Sequence, residues 1–139
     1  MAEPILSDAA KLLVAKRGVG ELALKMGIEI LELSAERAVA TMPVDGNTQP
    51  LGLLHGGAYL VLGETLGSFA ANVWAGSEAH AVGIEISASH SKSATSGLVT
   101  GVATAVSLGK TLTVHEIAVT NDKGERCSTI RITNLLRKN

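Results

Sequence analysis

The chain has 139 residues, of which 46% are hydrophobic and 18% charged, with a formal net charge of −1. That length supports one domain with a sizeable core, and that composition excludes a disordered chain. The near-zero net charge argues against a nucleic-acid partner held by bulk electrostatics. A single cysteine, Cys127, excludes an internal disulfide framework and a CxxC site, and reads as a small residue packed in a strand. The first ten residues lack the basic start and long apolar run of a signal peptide. No stretch reaches about 18 uninterrupted apolar residues. The expectation is a soluble cytoplasmic protein without a membrane partner, made of one domain over 1–139.

Ser7 or Asp8 can cap a short N-terminal helix over about 7–17, with Ala9, Leu12, Leu13 and Val14 on its apolar side and Gly18 and Gly20 breaking it. Residues 21–26 form a further turn before Gly27. Strands follow over 28–33 and 36–42, joined by the polar turn Ser34-Ala35-Glu36. Pro43 to Asn47 is turn chemistry, and 48–54 is a loop. A long apolar segment without proline then predicts a central helix over about 56–75. After Gly76 the pattern becomes extended, with strands over 80–90, 98–108, 111–120 and 126–136. Val82, Ile84 and Ile86 share one side of the first of these. Ser128, Ile130, Ile132 and Asn134 share one side of the last. Gly109-Lys110 and Asn121-Asp122-Lys123-Gly124 read as tight hairpin turns. Strands beside one buried helix predict an α+β domain in which a sheet wraps a helix.

At about 100° per residue the central helix has two faces. Tyr59, Leu62, Leu66, Phe69 and Val73 make a bulky core face. Gly57, Leu60, Val61, Glu64, Gly67, Ser68 and Ala71 lie opposite. The chain's three aromatics, Tyr59, Phe69 and Trp74, all fall here, so this helix is expected to supply the aromatic packing. Glu64 is the only charge between His55 and Glu78, and burying a carboxylate is costly without compensation. Ser68 lies four residues on, so the two side chains meet. A carboxylate held by a hydroxyl is suited to act as base or nucleophile. At the helix start, His55-Gly56-Gly57 offers unpaired N–H groups, a partial positive charge and close backbone approach, which can polarise a carbonyl. Gln49 on the preceding loop is a polar group that can hydrogen-bond a substrate carbonyl. His80 and His115 read as structural. The four histidines share no ligand spacing with a carboxylate or Cys127, so neither a metal nor another cofactor is expected.

Taken together, Gln49, the Leu53-Leu54-His55-Gly56-Gly57 run, Glu64 and Ser68 resemble the hotdog-fold acyl-CoA thioesterases of the PaaI-like and 4-hydroxybenzoyl-CoA thioesterase type. The resemblance extends through VGIEISASH to the closing hairpin ending in GERCSTIRITNLL. It implies a hotdog fold, with a five- or six-stranded antiparallel sheet curled around the central helix. It implies hydrolysis of an acyl-CoA thioester, with an aryl or hydroxyaryl acyl group preferred, in a homotetramer whose active sites lie between subunits. By that resemblance the Gly56 N–H polarises the thioester carbonyl and Gln49 holds the acyl end. Glu64 of the partner subunit attacks the carbonyl or activates water, Ser68 orients it, and His55 supports the loop or the leaving thiolate. His90, Lys92 and Lys110 are the candidates for contacts to the CoA nucleotide. Here the chain departs from the familiar pattern, reading EISASH for EINANH and Lys92 for the usual arginine. A hotdog hydratase or dehydratase would use a His and carboxylate placed differently. A non-catalytic acyl-CoA sensor would call for a partner domain.

Overall fold

The structure, a computed structural model, describes residues 3–139. A two-residue strand β1 (Ile5–Leu6) leads into α1 (Asp8–Arg17), α2 (Glu21–Met26), β2 (Glu29–Leu33) and β3 (Arg37–Pro43). The long helix α3 (Gly56–Ala75) follows. The chain ends with β4 (Ala79–His90), β5 (Leu98–Leu108), β6 (Leu112–Thr120) and β7 (Arg126–Lys138). The strands form one seven-stranded sheet in the order β1-β2-β3-β5-β6-β7-β4. All pairs are antiparallel except β1 with β2. This is the hotdog architecture, a helix held in a curled sheet. The strand beyond the expected six is β1, too short to carry any periodicity.

Local chemistry sets the ends of these elements. Ser7 caps α1 by accepting the Ala10 N–H at 3.2 Å. Gly124, at φ 78°, closes the β6–β7 hairpin, and its N–H reaches the Asn121 carbonyl. At the other turn Gly109 donates to the Leu112 carbonyl, so β6 begins one residue later than its pattern suggests.

The helix packs on more than the bulky face. Tyr59, Leu62, Leu66 and Val73 are buried as expected, but so are Gly63, Gly67, Ala70 and Ala71. The small residues let β7 approach the helix backbone. A Cβ at Gly63 would sit 2.9 Å from two carbons of Ile130, and one at Gly67 would overlap Ile132. A wrapped helix has sheet on several sides, so the small face is core as well. The aromatic expectation holds in part: Tyr59 is buried and Phe69 half-buried, but Trp74 is 43% exposed, its indole N–H on the Gly109 carbonyl.

Strand β4 lies at a sheet edge and does not keep one phase. Gly83 pairs with Asn134 and Glu85 with Thr133, so Ile84 is an extra residue. The bulge separates Val82 and Ile84, at 39% and 55% exposed, from the half-buried Ile86 and Ala88. Near the start of this edge, Asn72 of α3 covers the strand: its Oδ1 accepts the Ala81 N–H at 2.9 Å.

Candidate active site

The first cluster lies midway along α3. Ser68 donates its hydroxyl to Glu64 Oε2 at 2.9 Å, the contact that i, i+4 spacing requires. Glu64 is half-buried rather than sealed in the core, because its carboxylate emerges beside the edge strand. There Gly83 makes room: a Cβ at that position would lie 2.5 Å from Glu64 Oε2. The side chain of Asn134, fully buried on β7, lies 3.4 Å from Ser68 Oγ. Ser68 has one hydroxyl hydrogen and gives it to Glu64. The Asn134 atom nearest Ser68 Oγ is its Oδ1, and its NH2 group has no partner among the described residues. Glu64, Ser68 and Asn134 thus form one polar cluster, with Ser68 between the other two. Sequence reading placed Asn134 in phase with Ile130 and Ile132; a polar residue on that buried side was the available signal.

The second cluster surrounds the start of α3. His55 is the N-cap, and its Nδ1 accepts the Gly57 N–H at 2.8 Å. That hydrogen bond fixes the proton of a neutral His55 on Nε2. The Gly56 N–H has no acceptor among the described residues, so it remains available at the positive end of a twenty-residue helix. Gln49 sits in a tight loop closed by a bridge between Thr48 and Leu54. Its side-chain oxygen accepts the Leu51 N–H, which leaves its NH2 group free to donate.

His90 belongs to this same cluster. Its Nε2 is the nearest outside atom to Gly56, 3.2 Å from where a Cβ would stand. Its Nδ1 lies 2.9 Å from Ser128 Oγ, and its ring tilts over Tyr59 at 4.9 Å. The Tyr59 hydroxyl is buried without a hydrogen-bond partner of ordinary geometry. Burial first, and the neighbouring Cys127 thiol second, push its pKa up to about 12. Lys92, exposed, pairs with Glu125 at 2.7 Å. That hydrogen bond and charge raise the Lys92 pKa and lower that of Glu125. Lys110 lies elsewhere, beside Trp74 at the far end of α3. A twenty-residue helix spans about 30 Å, so one copy of the chain does not gather His90, Lys92 and Lys110 around one ligand.

His80 and His115 stand apart from both clusters. His80 Nδ1 meets Asn139 Oδ1 at 2.8 Å, and the buried His115 places Nε2 2.8 Å from the Ala35 carbonyl. Burial lowers the His115 pKa. No group of three or more His, Cys, Asp or Glu among the described residues is placed to hold a metal. No described helix is long and apolar enough to cross a membrane.

The central helix thus carries a half-buried carboxylate tied to a hydroxyl and, at its glycine start, an N–H without an acceptor among the described residues. The family model described as "Thioesterase superfamily" matches residues 51–128, which spans both. The chain belongs to the thioesterase superfamily. It is 44% identical over 115 residues to the proofreading thioesterase EntH of Cronobacter turicensis, covering 82% of this chain and 84% of that one. It is 39% identical over 120 residues to the 1,4-dihydroxy-2-naphthoyl-CoA hydrolase of Escherichia coli K12, covering 86% and 88%. Among solved structures, a thioesterase from Haemophilus influenzae superposes with a TM-score of 0.82 at 33% identity, covering 91% and 87%. A mutant thioesterase from Pseudomonas aeruginosa gives 0.83 at 34%, covering 96% of each chain. This thioesterase is thus a hydrolase with a hotdog fold, and its family's reaction class is thioester hydrolysis.

Proposed function

We propose that the protein hydrolyses acyl-CoA thioesters, preferably with aryl or hydroxyaryl acyl groups, at sites shared between two copies of the chain. The observation that supports this is the placement of Glu64 and Gly56 on one helix, far apart along its axis. They are eight residues apart, about 12 Å along the axis. The Glu64 carboxylate is turned towards Ser68, one turn further from Gly56. A carbonyl bound at an N–H and met by a carboxylate or its water spans roughly 6–7 Å between the two groups. In this reading Glu64 of one copy therefore works with Gly56 of another. The unpaired edge of β4, with Val82 and Ile84 exposed, offers the surface along which two copies join.

In this reading the thioester oxygen sits on the Gly56 N–H, with the Gln49 NH2 group as a second donor. Glu64 takes a proton from water, or attacks the carbonyl itself. Either way the C–S bond breaks, water supplies the new oxygen, and the products are a carboxylic acid and the CoA thiol. Ser68, backed by Asn134, holds the carboxylate. His55 fixes the loop by capping the helix. His90 faces the carbonyl site and so meets the pantetheine arm, while Lys92 and Lys110, the latter from a neighbouring copy, meet phosphates. The two dimers pair into a tetramer.

The test is thiol release from a panel of aryl and aliphatic acyl-CoAs, with molar mass by light scattering. Turnover of aryl thioesters by a tetramer is expected. Equal turnover of palmitoyl-CoA removes the aryl preference, a stable monomer removes the shared site, and no turnover of any ester removes the function.

A further inference from the structure

Asn47 lies on the connection between β3 and α3, two residues before Gln49, and is half-buried. Its side-chain Nδ2 donates to two backbone carbonyls, Met26 at 2.8 Å and Pro43 at 2.9 Å. Two carbonyl oxygens at one end of the amide require the NH2 group there, so its orientation follows from its partners. Met26 is the last residue of α2, where a helix leaves carbonyls without intrahelical donors, and Asn47 satisfies this one. The backbone of Asn47 is tied as well. Its N–H reaches the Val44 carbonyl at 3.0 Å, and its own carbonyl accepts the His55 N–H at 2.9 Å.

The end of α2 is therefore the seat of the loop that leads to the helix start. Gly27 closes α2 in the left-handed region at φ 75° and rests on Pro43: a Cβ there would stand 2.8 Å from Pro43 Cγ. Two backbone bonds also hold the loop from outside, Val44 N–H to the Gly97 carbonyl at 3.0 Å and Leu54 N–H to the Ala94 carbonyl at 2.9 Å. Among the described residues, Asn47 has the only side chain of residues 44–54 that is hydrogen-bonded beyond the loop. His55 is gripped twice, by its N–H on Asn47 and by its Nδ1 accepting the Gly57 N–H. Those two bonds fix His55 and so aim the N–H of the peptide that joins it to Gly56.

We propose that Asn47 is a positioning residue for thioester hydrolysis: seated on α2, it holds the Gly56 N–H and the Gln49 NH2 group in register with each other. The inference rests on those two groups as the carbonyl donors of the proposed reaction. Donors to a developing oxyanion work because they stand at the right distance before charge develops. A displacement of about 1 Å can cost about a hundredfold in rate. Asn47 acts on Gly56 through the hydrogen bond to His55, and on Gln49 through two residues of chain. Both donors share this one anchor. The contacts proposed for the CoA phosphates, at Lys92 and Lys110, lie off the loop and do not depend on it.

The experiment compares the wild type, Asn47→Ala, Gln49→Ala, Asn47→Ala/Gln49→Ala and Gly27→Ala on the thioester that the wild type turns over best. It reads kcat, KM, inhibition by free CoA and thermal midpoint. Asn47→Ala is expected to lower kcat about tenfold to a hundredfold, with KM and the CoA inhibition constant within about threefold of the wild type. The double variant should lose less than the product of the two single losses, because part of what Asn47 holds is already gone. Gly27→Ala presses on Pro43 without removing a hydrogen bond. It should lower kcat in the same way, and it decides the matter if Asn47→Ala does not fold. Near-wild-type kcat in a folded Asn47→Ala or Gly27→Ala enzyme would overturn the assignment, as would single losses that multiply in full. CoA inhibition weakened as much as kcat would make Asn47 a residue of general folding and overturn it too. No turnover of any thioester by the wild type would instead remove the enzymatic reading, and this one with it.

Discussion

Replacing Glu64 by Gln separates the chemistry of the carboxylate from its place in the fold. Among the described residues the only hydrogen bond to its side chain comes from Ser68 Oγ, at 2.9 Å. A glutamine carbonyl accepts the same bond, and the side chain keeps its length beside Gly83. The structural cost should therefore stay within about 1 kcal/mol, the net worth of one hydrogen bond. What is lost is the negative charge that draws a proton from water or attacks the carbonyl. A positioned base contributes about a hundredfold or more, equivalent to about 2.7 kcal/mol at 1.36 kcal/mol per decade. The assay is steady-state thiol release on the best acyl-CoA, alongside thermal midpoint and molar mass for each variant. We expect kcat to fall at least about a hundredfold with KM little changed, because Glu64 is not placed to hold the substrate in the ground state. Ser68→Ala should cost less, since it removes only the orienting bond. A folded Glu64→Gln enzyme with the wild-type molar mass and near-wild-type kcat would make Glu64 a structural residue and sink the mechanism.

Gly67→Ala should destabilise the protein by about 1–3 kcal/mol even though alanine favours a helix, because its Cβ would overlap Ile132; thermal melts of the variant and of Gly67→Ala/Ile132→Ala, where room is restored, check this. Tyr59→Phe removes a buried hydroxyl without a hydrogen-bond partner of ordinary geometry among the described residues and should be neutral or stabilising; a loss beyond about 1 kcal/mol would show that the hydroxyl is bonded. Burial lowers the His115 pKa, so below about pH 6.5 the unfolded chain takes up a proton that the folded chain refuses, and stability falls as the pH drops. Denaturation midpoints at pH 7.5 and 5.5 should therefore differ less in His115→Gln than in the wild type, and an unchanged difference would show that His115 is not responsible.

Much of the fold was legible because its signals are local. The proline-free run with Leu62 and Leu66 in helical phase, the Ser7 cap, and the Asn121–Gly124 turn each act over a few residues, where propensity and capping energies operate. The pairing of Glu64 with Ser68 was legible for the same reason, since four residues is one helical turn. Pairings across the sheet were not. The bulge at Ile84 changes the phase of β4, and only its partner strand β7 defines it. Gly67 and Ala71 read as part of the face opposite the core, and only the approach of Ile132 to Gly67 shows that this face is packed as well. His90 read as the end of a strand and, by resemblance, as a nucleotide contact; β4 carries it, 34 residues along the chain from Gly56, to the start of α3. Asn134 lacks a motif, and it meets Ser68 across 66 residues of sequence. Periodicity decides which face of an element is buried. Which faces meet depends on register and curvature, and those are properties of the closed sheet around the helix.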